Sequence, residues 1–269
     1  MKRFLTVFVL SFFTLFSFAQ SGEMYHRIEI GEAGEAVQKL HDAGLSLECR
    51  IINGKLVAEL NETEIRLLDD AGIGYTVLIE NVSAFYAGRN RGKDIDAIIN
   101  DFRNRVDYTV PENFDLGSMG GFCTWDEINT HLDNMHSLFP ELISQKQALP
   151  QNSVEGRPIY WVRISDNPGL NEEEPEVFYN SLIHAREPGS MQQLLYFMYF
   201  LLENYNTDDE IQRLLDYTEL YFVPCINPDG YIHNEVSFPE GGGMWRKNRQ
   251  VNYNNSIGVD PNRNFGYMW

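Results

Sequence analysis

The sequence predicts an α/β domain with a mixed, mostly parallel sheet flanked by helices, preceded by a small α+β unit of antiparallel βαββαβ order. Three observations predict it. From about residue 118 onward, strand-like apolar runs alternate with helical patterns. Residues 24–86 instead show four short strand-like runs with two helical patterns set among them. Between the two stretches, residues 87–117 change composition and read as a connector.

The elements follow in chain order. Met1-Lys2-Arg3 gives a positive start, Phe4 to Phe18 an almost unbroken apolar run, and Ser17-Phe18-Ala19 a small-x-small cleavage signature, so residues 1–19 read as a secretory signal peptide. The run is shorter than the roughly 20 residues of a spanning helix. The expected location is therefore secreted, periplasmic or extracellular. In the first unit, Tyr25 to Ile30 alternates as a strand, Glu35 to Ala43 has helical spacing, and Leu47 to Leu60 reads as two strands turning at Asn53-Gly54. Asn61 is the N-cap candidate of a second helix, with Thr63 and Glu64 in its first turn and Ile65, Leu67 and Leu68 on the buried side; Tyr75 to Glu80 is the last strand. His26 and His41 have no partner at metal-ligand spacing and read as structural or surface residues.

In the connector, Arg89, Arg91 and Lys93 with Gly88 and Gly92 form an exposed basic patch, and Ile95, Ile98, Ile99, Phe102 and Val106 recur at helical spacing. Such a linker gives access to an activating protease, at Arg89-Lys93 or at Arg103-Arg105. The larger domain, 118–269, opens with a helix over Trp125 to Phe139, whose apolar positions Ile128, Leu132, Met135 and Phe139 keep the 3.6-residue period. Thr124 and Glu127 give it a capping-box pattern. Strands are expected at Ile159 to Ile164, Val177 to Ile183 and Glu219 to Cys225, with a strongly apolar helix from Met191 to Leu202 between the last two. His131 and His136, five apart, point to different faces of their helix and do not share a metal.

Composition excludes several function classes. The chain has 269 residues, 43% hydrophobic and 13% aromatic, enough to bury a sizeable core. A formal net charge of −18 argues against binding nucleic acid and against adhesion to an anionic membrane. The three cysteines, Cys49, Cys123 and Cys225, are widely separated and lack CxxC spacing, which fits neither a disulfide framework nor a thiolate metal cluster.

The chemistry concentrates where strands end. The run Tyr179 to Glu187 closes a strand with His184 and Glu187 three residues apart, directly before the Pro188 that opens a helical pattern. Imidazole nitrogen and carboxylate oxygen are both good Zn²⁺ donors, and a strand-to-helix turn is where α/β sheets build sites. Downstream lie Asn227-Pro228-Asp229-Gly230, read as a turn after a strand, the basic aromatic cluster Met244 to Arg249, and Gly258 to Phe265.

Four of these segments, HARE at 184–187, NPDG at 227–230, WRKNR at 245–249 and DPNRNF at 260–265, occur in the order seen in zinc carboxypeptidases of the carboxypeptidase A and B family. Ser153 to Ile159 resembles that family's early strand entry, and the unit before the connector resembles its pro-segment. The resemblance implies a secreted zinc metallocarboxypeptidase precursor with one Zn²⁺ per catalytic domain, removing residues from peptide or protein C-termini. His184 and Glu187 would be two of the three zinc ligands. Arg246 would stabilise the oxyanion that forms at the scissile carbonyl. Arg263 would clamp the terminal carboxylate with Asn262 adding a donor, and Arg186 would line a neighbouring subsite.

The family's second His ligand, capping Tyr and general-base Glu lie beyond DPNRNF, so the chain reads as the front part of an enzyme, inactive as it stands. Two other functions fit the same motifs. A related zinc amidohydrolase would share His184 and Glu187 without needing Asn262 and Arg263. A non-catalytic peptide-binding protein would keep the carboxylate clamp alone.

Overall fold

The computed structural model describes residues 23–45, 47–94, 97–98, 101, 110–253 and 255–266. The signal-peptide reading of residues 1–19, most of the connector helix and the cleavage positions Arg103 and Arg105 lie outside the described residues.

The first unit runs β1 (Tyr25–Glu32), α1 (Ala33–Asp42), β2 (Cys49–Ile52), β3 (Lys55–Asn61), α2 (Glu62–Asp70), β4 (Thr76–Ile79). Its strands form one antiparallel sheet in the order β2-β3-β1-β4. The β2–β3 hairpin turns through Asn53 and Gly54 at φ 50° and 81°. Both are left-handed, which matches the twist of the flanking strands and suits Asn followed by Gly. Ile28, Leu40, Leu60 and Leu68 fill the space between sheet and helices. Asn61 opens α2 through a reciprocal cap: its Oδ1 accepts from Glu64 N–H at 2.8 Å, and the Glu64 carboxylate accepts from Asn61 N–H at 3.0 Å. A further helix, α3 (Val82–Asn90), brings Val82 against Tyr25 and against Met244 of the second unit, so an apolar contact joins the two.

The second unit runs α4 (Trp125–Leu138), β5 (Gln147–Ala148), β6 (Tyr160–Ile164), β7 (Glu176–Asn180), α5 (Pro188–Asn204), α6 (Asp209–Asp216), β8 (Glu219–Val223), α7 (Pro228–Ser237) and a 3₁₀ turn at Pro261–Arg263. Thr124 and Glu127 form the capping box that starts α4. The sheet order is β5-β6-β8-β7. This sheet is mixed, but the expectation of a mostly parallel one is corrected: β5–β6 and β6–β8 pair antiparallel, and only β7–β8 is parallel. The reason lies in the connections. Helices α5 and α6 form a crossover long enough to return β8 parallel to β7, and β8 then enters between β6 and β7, which do not pair with each other.

Helix α5 buries Met191, Leu195, Met198 and Leu202. Phe197 on the same helix meets Tyr179 of β7 edge-on, and Tyr179 stacks on Phe222 of β8 with ring centroids 5.1 Å apart. Among the described residues, no helix is long and apolar enough to cross a membrane.

The parallel pair decides where the chemistry sits. Asn180 and Val223 are register partners at the carboxyl ends of β7 and β8, so the chain that follows each leaves the sheet at the same edge. HARE follows one strand and NPDG the other. NPDG is not a free turn: it opens α7, with Pro228 at the first helical position and Asn227 as N-cap.

Candidate active site

His184 sits in a loop tied to neighbouring segments by three backbone contacts. Ile183 C=O accepts from Asn227 Nδ2 at 3.3 Å, Ala185 N–H donates to Arg246 C=O at 3.0 Å, and Ala185 C=O accepts from Asn234 Nδ2 at 3.1 Å. Leu182, just before, is held at φ 52° although it carries a side chain, and it is 1% exposed. A β-carbon residue in that region is strained, and only tight surroundings hold it there.

Two buried asparagines join this loop to the WRKNR segment. Asn234 takes Trp245 from both sides, accepting from its N–H at 2.9 Å and donating to its C=O at 2.8 Å. Asn227 caps α7 through its Oδ1 and donates its Nδ2 to Lys247 C=O at 3.1 Å as well as to Ile183. The segments approach so closely that a β-carbon on Gly230 would stand 2.4 Å from the Lys247 carbonyl oxygen and 2.9 Å from Ala185 Cβ. Glycine at 230 is therefore a condition of the site.

His184 is 8% exposed, and both ring nitrogens are engaged. Nδ1 lies 3.0 Å from a Glu187 carboxylate oxygen and Nε2 lies 3.2 Å from Asp260 Oδ1. Glu187 is the N-cap residue of α5, yet its side chain makes no capping bond and is directed to His184 instead. Asp260 also receives Arg246, whose Nε is 3.2 Å from Asp260 Oδ2, and the Asn262 N–H at 2.9 Å from Oδ1. Burial pushes the Asp260 carboxyl up, but the Asn262 N–H and the Arg246 guanidinium outweigh it and hold the group below the usual carboxylate range. Asp260 is thus an anion that orients the ring from one side while Glu187 offers a carboxylate on the other. A histidine fixed by a carboxylate on its far nitrogen is the arrangement that orients imidazole toward a metal.

A cavity of about 840 Å³ opens beside this cluster, lined by Arg186, Arg246 and Arg263. Arg246 Nη1 is 3.5 Å from Glu187 Oε1, which places a cation next to the His184–Glu187 pair. Arg263 projects from the 3₁₀ turn and bonds only to the neighbouring Asn262 C=O, at 2.9 Å, among the described residues. Asn262 is exposed and is absent from the cavity wall, so its side chain is not brought to the cluster.

The opposite wall comes from the first unit. Glu48 reaches across to Arg186 at 2.5 Å and to Arg246 at 2.7 Å, and Glu64 and Tyr25 line the same space. Burial raises the Glu64 carboxyl, while the Asn61 N–H, Lys247 and Arg186 pull it down less strongly. His233 also faces the cavity, but it packs edge-on against Trp245 with ring centroids 5.2 Å apart, and burial together with Arg249 lowers its pKa to about 4. It is a neutral packing residue.

Among the described residues, three acidic side chains close enough to share a metal are Asp166, Glu172 and Glu174, a group away from His184 and Glu187. The His184–Glu187 pair offers one imidazole and one carboxylate, a donor set that suits Zn²⁺, with Asp260 already in the orienting position.

The structure brings His184, Glu187, Arg186 and Arg246 into one cluster, and four further residues position it: Asp260, Asn227, Asn234 and Glu48. Asp260 was visible as the acid of DPNRNF. Asn227 was visible as the first residue of NPDG, where an N-cap is expected before Pro. Asn234 and Glu48 carry no local signal.

Comparison with known proteins identifies the family. The family model described as zinc carboxypeptidase matches residues 128–269, more than half of the chain. A zinc carboxypeptidase of Saccharothrix mutabilis subsp. capreolus is 34% identical over 170 residues, covering 61% of this chain and 38% of that protein. Human mast cell carboxypeptidase A is 30% identical over 178 residues, covering 65% and 40% respectively. The chain therefore spans about two-fifths of the length of these curated relatives.

Two solved structures share the fold. The carboxypeptidase A of Helicoverpa armigera aligns with TM-score 0.62 at 24% identity, covering 92% of this chain and 59% of that one. Thrombin activatable fibrinolysis inhibitor aligns with TM-score 0.57 at 22% identity, covering 91% and 59%. With its family model matched over residues 128–269, the chain belongs to the zinc carboxypeptidase family.

Proposed function

We propose that the protein is an exported zinc metallocarboxypeptidase precursor that removes C-terminal residues from peptides. The observation that carries this reading is the His184–Glu187 pair, with Asp260 on the far side of the ring and Arg246 against Glu187. His184 Nδ1 and a Glu187 oxygen would hold the zinc, two of the three protein donors that such a site uses. When bound, the ion supplies Lewis-acid polarisation of the scissile carbonyl.

The remaining roles belong to the chain's own residues. Arg246, tethered to Asp260, would present a cation to the carbonyl oxygen as negative charge develops there once Glu48 has left it. Arg263 is the candidate clamp for the substrate's terminal carboxylate, because its guanidinium has no carboxylate partner among the described residues and lines the cavity. Asn262 adds a donor if its side chain turns inward on binding. Arg186 lines a neighbouring subsite.

The division into a signal peptide at 1–19, a pro-segment at 24–86, a connector at 87–117 and a catalytic domain at 118–269 belongs to the same reading. Glu48 supports it: an acid of the first unit occupies Arg186 and Arg246, which substrate would need. An activating cut at Arg89-Lys93 or Arg103-Arg105 would release that unit.

The test uses the full-length protein with its zinc content measured, before and after trimming in the connector, on matched peptides with free and amidated C-termini. The reading predicts about one zinc per catalytic domain and cleavage confined to free termini. Equal cleavage of both would make it an amidohydrolase. Binding without cleavage in the zinc-loaded, trimmed protein would make it a peptide-binding protein.

A further inference from the structure

Three cations on the cavity wall of the second unit form no ion pair with a carboxylate of that unit among the described residues: Arg186, Lys247 and Arg263. The others are committed. Arg246 holds Asp260 and Glu187, while Arg249 lies 4.4 Å over the Trp245 ring and 3.7 Å from Glu155. In a chain with 39 acidic and 21 basic residues, three cations left without an acid on one wall mark a surface that meets negative charge from elsewhere.

Arg263 is accounted for by the terminal carboxylate. Arg186 and Lys247 are not, and the first unit displays the kind of group that suits them. Glu48 places one carboxylate against both Arg186 and Arg246, and Glu64 interacts electrostatically with Lys247 and Arg186. Only 10% of the Arg186 side chain is exposed, so a carboxylate reaching it is little screened by water. Glu48 pairs with Arg186 and Arg246 and, among the described residues, forms no ion pair with Arg263, so its carboxylate marks a seat separate from the terminal clamp. With Arg263 on the terminal carboxylate and Arg246 at the scissile carbonyl, as the peptidase reading assigns them, a seat shared by Arg246 and Arg186 falls to substrate residues on the amino side of the scissile bond.

We infer that the opened cleft selects peptides with acidic side chains on the residues just before the one removed, with Arg186 and Lys247 as the specificity cations. This rests on the peptidase reading above. When the first unit leaves, it removes the carboxylates that neutralise both cations, and an acidic substrate segment replaces them.

The test takes the full-length, zinc-loaded protein trimmed in its connector and three peptides with the same last residue. They differ only in Glu, Gln or Lys at the second-last and third-last positions, and both kcat/KM and equilibrium binding are measured at low and high salt. The expected order is Glu, then Gln, then Lys, with about a tenfold or larger Glu-to-Lys ratio that shrinks at high salt. In Lys247→Glu the ratio should fall below about threefold or reverse. Cleavage or binding equal within about twofold across the three peptides at low salt would overturn the inference, as would an unchanged ratio in Lys247→Glu. The salt dependence of the unaltered protein decides the matter even if that variant does not fold. Absence of cleavage with the binding order intact would contradict the peptidase reading and leave the acidic selectivity standing.

Discussion

Asp260 ties the candidate site together through three contacts, to the His184 ring, the Arg246 guanidinium and the Asn262 N–H. Replacing it with Asn keeps the size and removes the charge that orients the ring. Asp260→Asn is expected to weaken zinc binding about 10- to 100-fold, read by metal titration of the full-length protein; unchanged affinity would show that the packed loop orients His184 without the Asp260 charge. Arg263 makes a different kind of contribution. Its loss should cost about 2–5 kcal/mol on substrates with a free terminus and little on amidated ones, and Lys should not restore it because an ammonium cannot give two parallel hydrogen bonds. Comparing kcat/KM for Arg263→Ala and Arg263→Lys on both substrates checks this, and equal losses on both would count against the clamp. At this scale the sequence was informative wherever chemistry and spacing are local. His184 and Glu187 stand three apart before a Pro, and this is readable. The His184–Asp260 contact spans 76 positions and Glu48–Arg186 spans 138, so no local pattern announces either.

The elements were legible where side chains report their own backbone. Asn53-Gly54 declared a hairpin because both residues tolerate left-handed φ, and Thr124 with Glu127 declared a helix start. Thr124→Ala should cost about 1 kcal/mol, seen as a drop of about 2–4 °C in Tm, and no drop would mean that the Glu127 bonds to Ser118 carry the cap. NPDG was harder to read, since Asn-Pro-Asp-Gly favours turns in isolation. The Asn227 cap and the packing of α7 against α4, with Tyr231 donating to Cys123 C=O, decide for helix, and Gly230 then lets Lys247 come within contact. Gly230→Ala is expected to lower both Tm and zinc affinity, because Ala185 and the Lys247 carbonyl must move together. Loss of Tm without loss of zinc binding would show that the His184 loop is independent of α7. Strand direction was the least legible feature. A buried strand reads the same in either direction, and the insertion of β8 between β6 and β7 is set by the length of the α5–α6 crossover rather than by any residue within the strands.

For the whole molecule, composition suggests a division into units but says nothing of their docking, which depends on acids of one unit meeting cations of the other. Glu48 is the most direct of these contacts, touching Arg186 and Arg246 at once. On the proposed function, the uncut Glu48→Ala protein is expected to cleave peptides faster than the uncut native protein, with the difference disappearing after trimming. Equal precursor activities would assign the first unit a folding role only. The central claim is that His184 and Glu187 hold a zinc ion that cleavage requires. It is tested most directly by measuring zinc content and hydrolysis of a free-terminus peptide in the full-length trimmed protein, its His184→Ala and Glu187→Ala variants, and a chelated and zinc-restored sample. The account predicts about one zinc in the unaltered protein, loss of both metal and activity in each variant, and recovery of activity on adding zinc back to the chelated sample. Full activity in the metal-free protein, or stoichiometric zinc in His184→Ala, would contradict it.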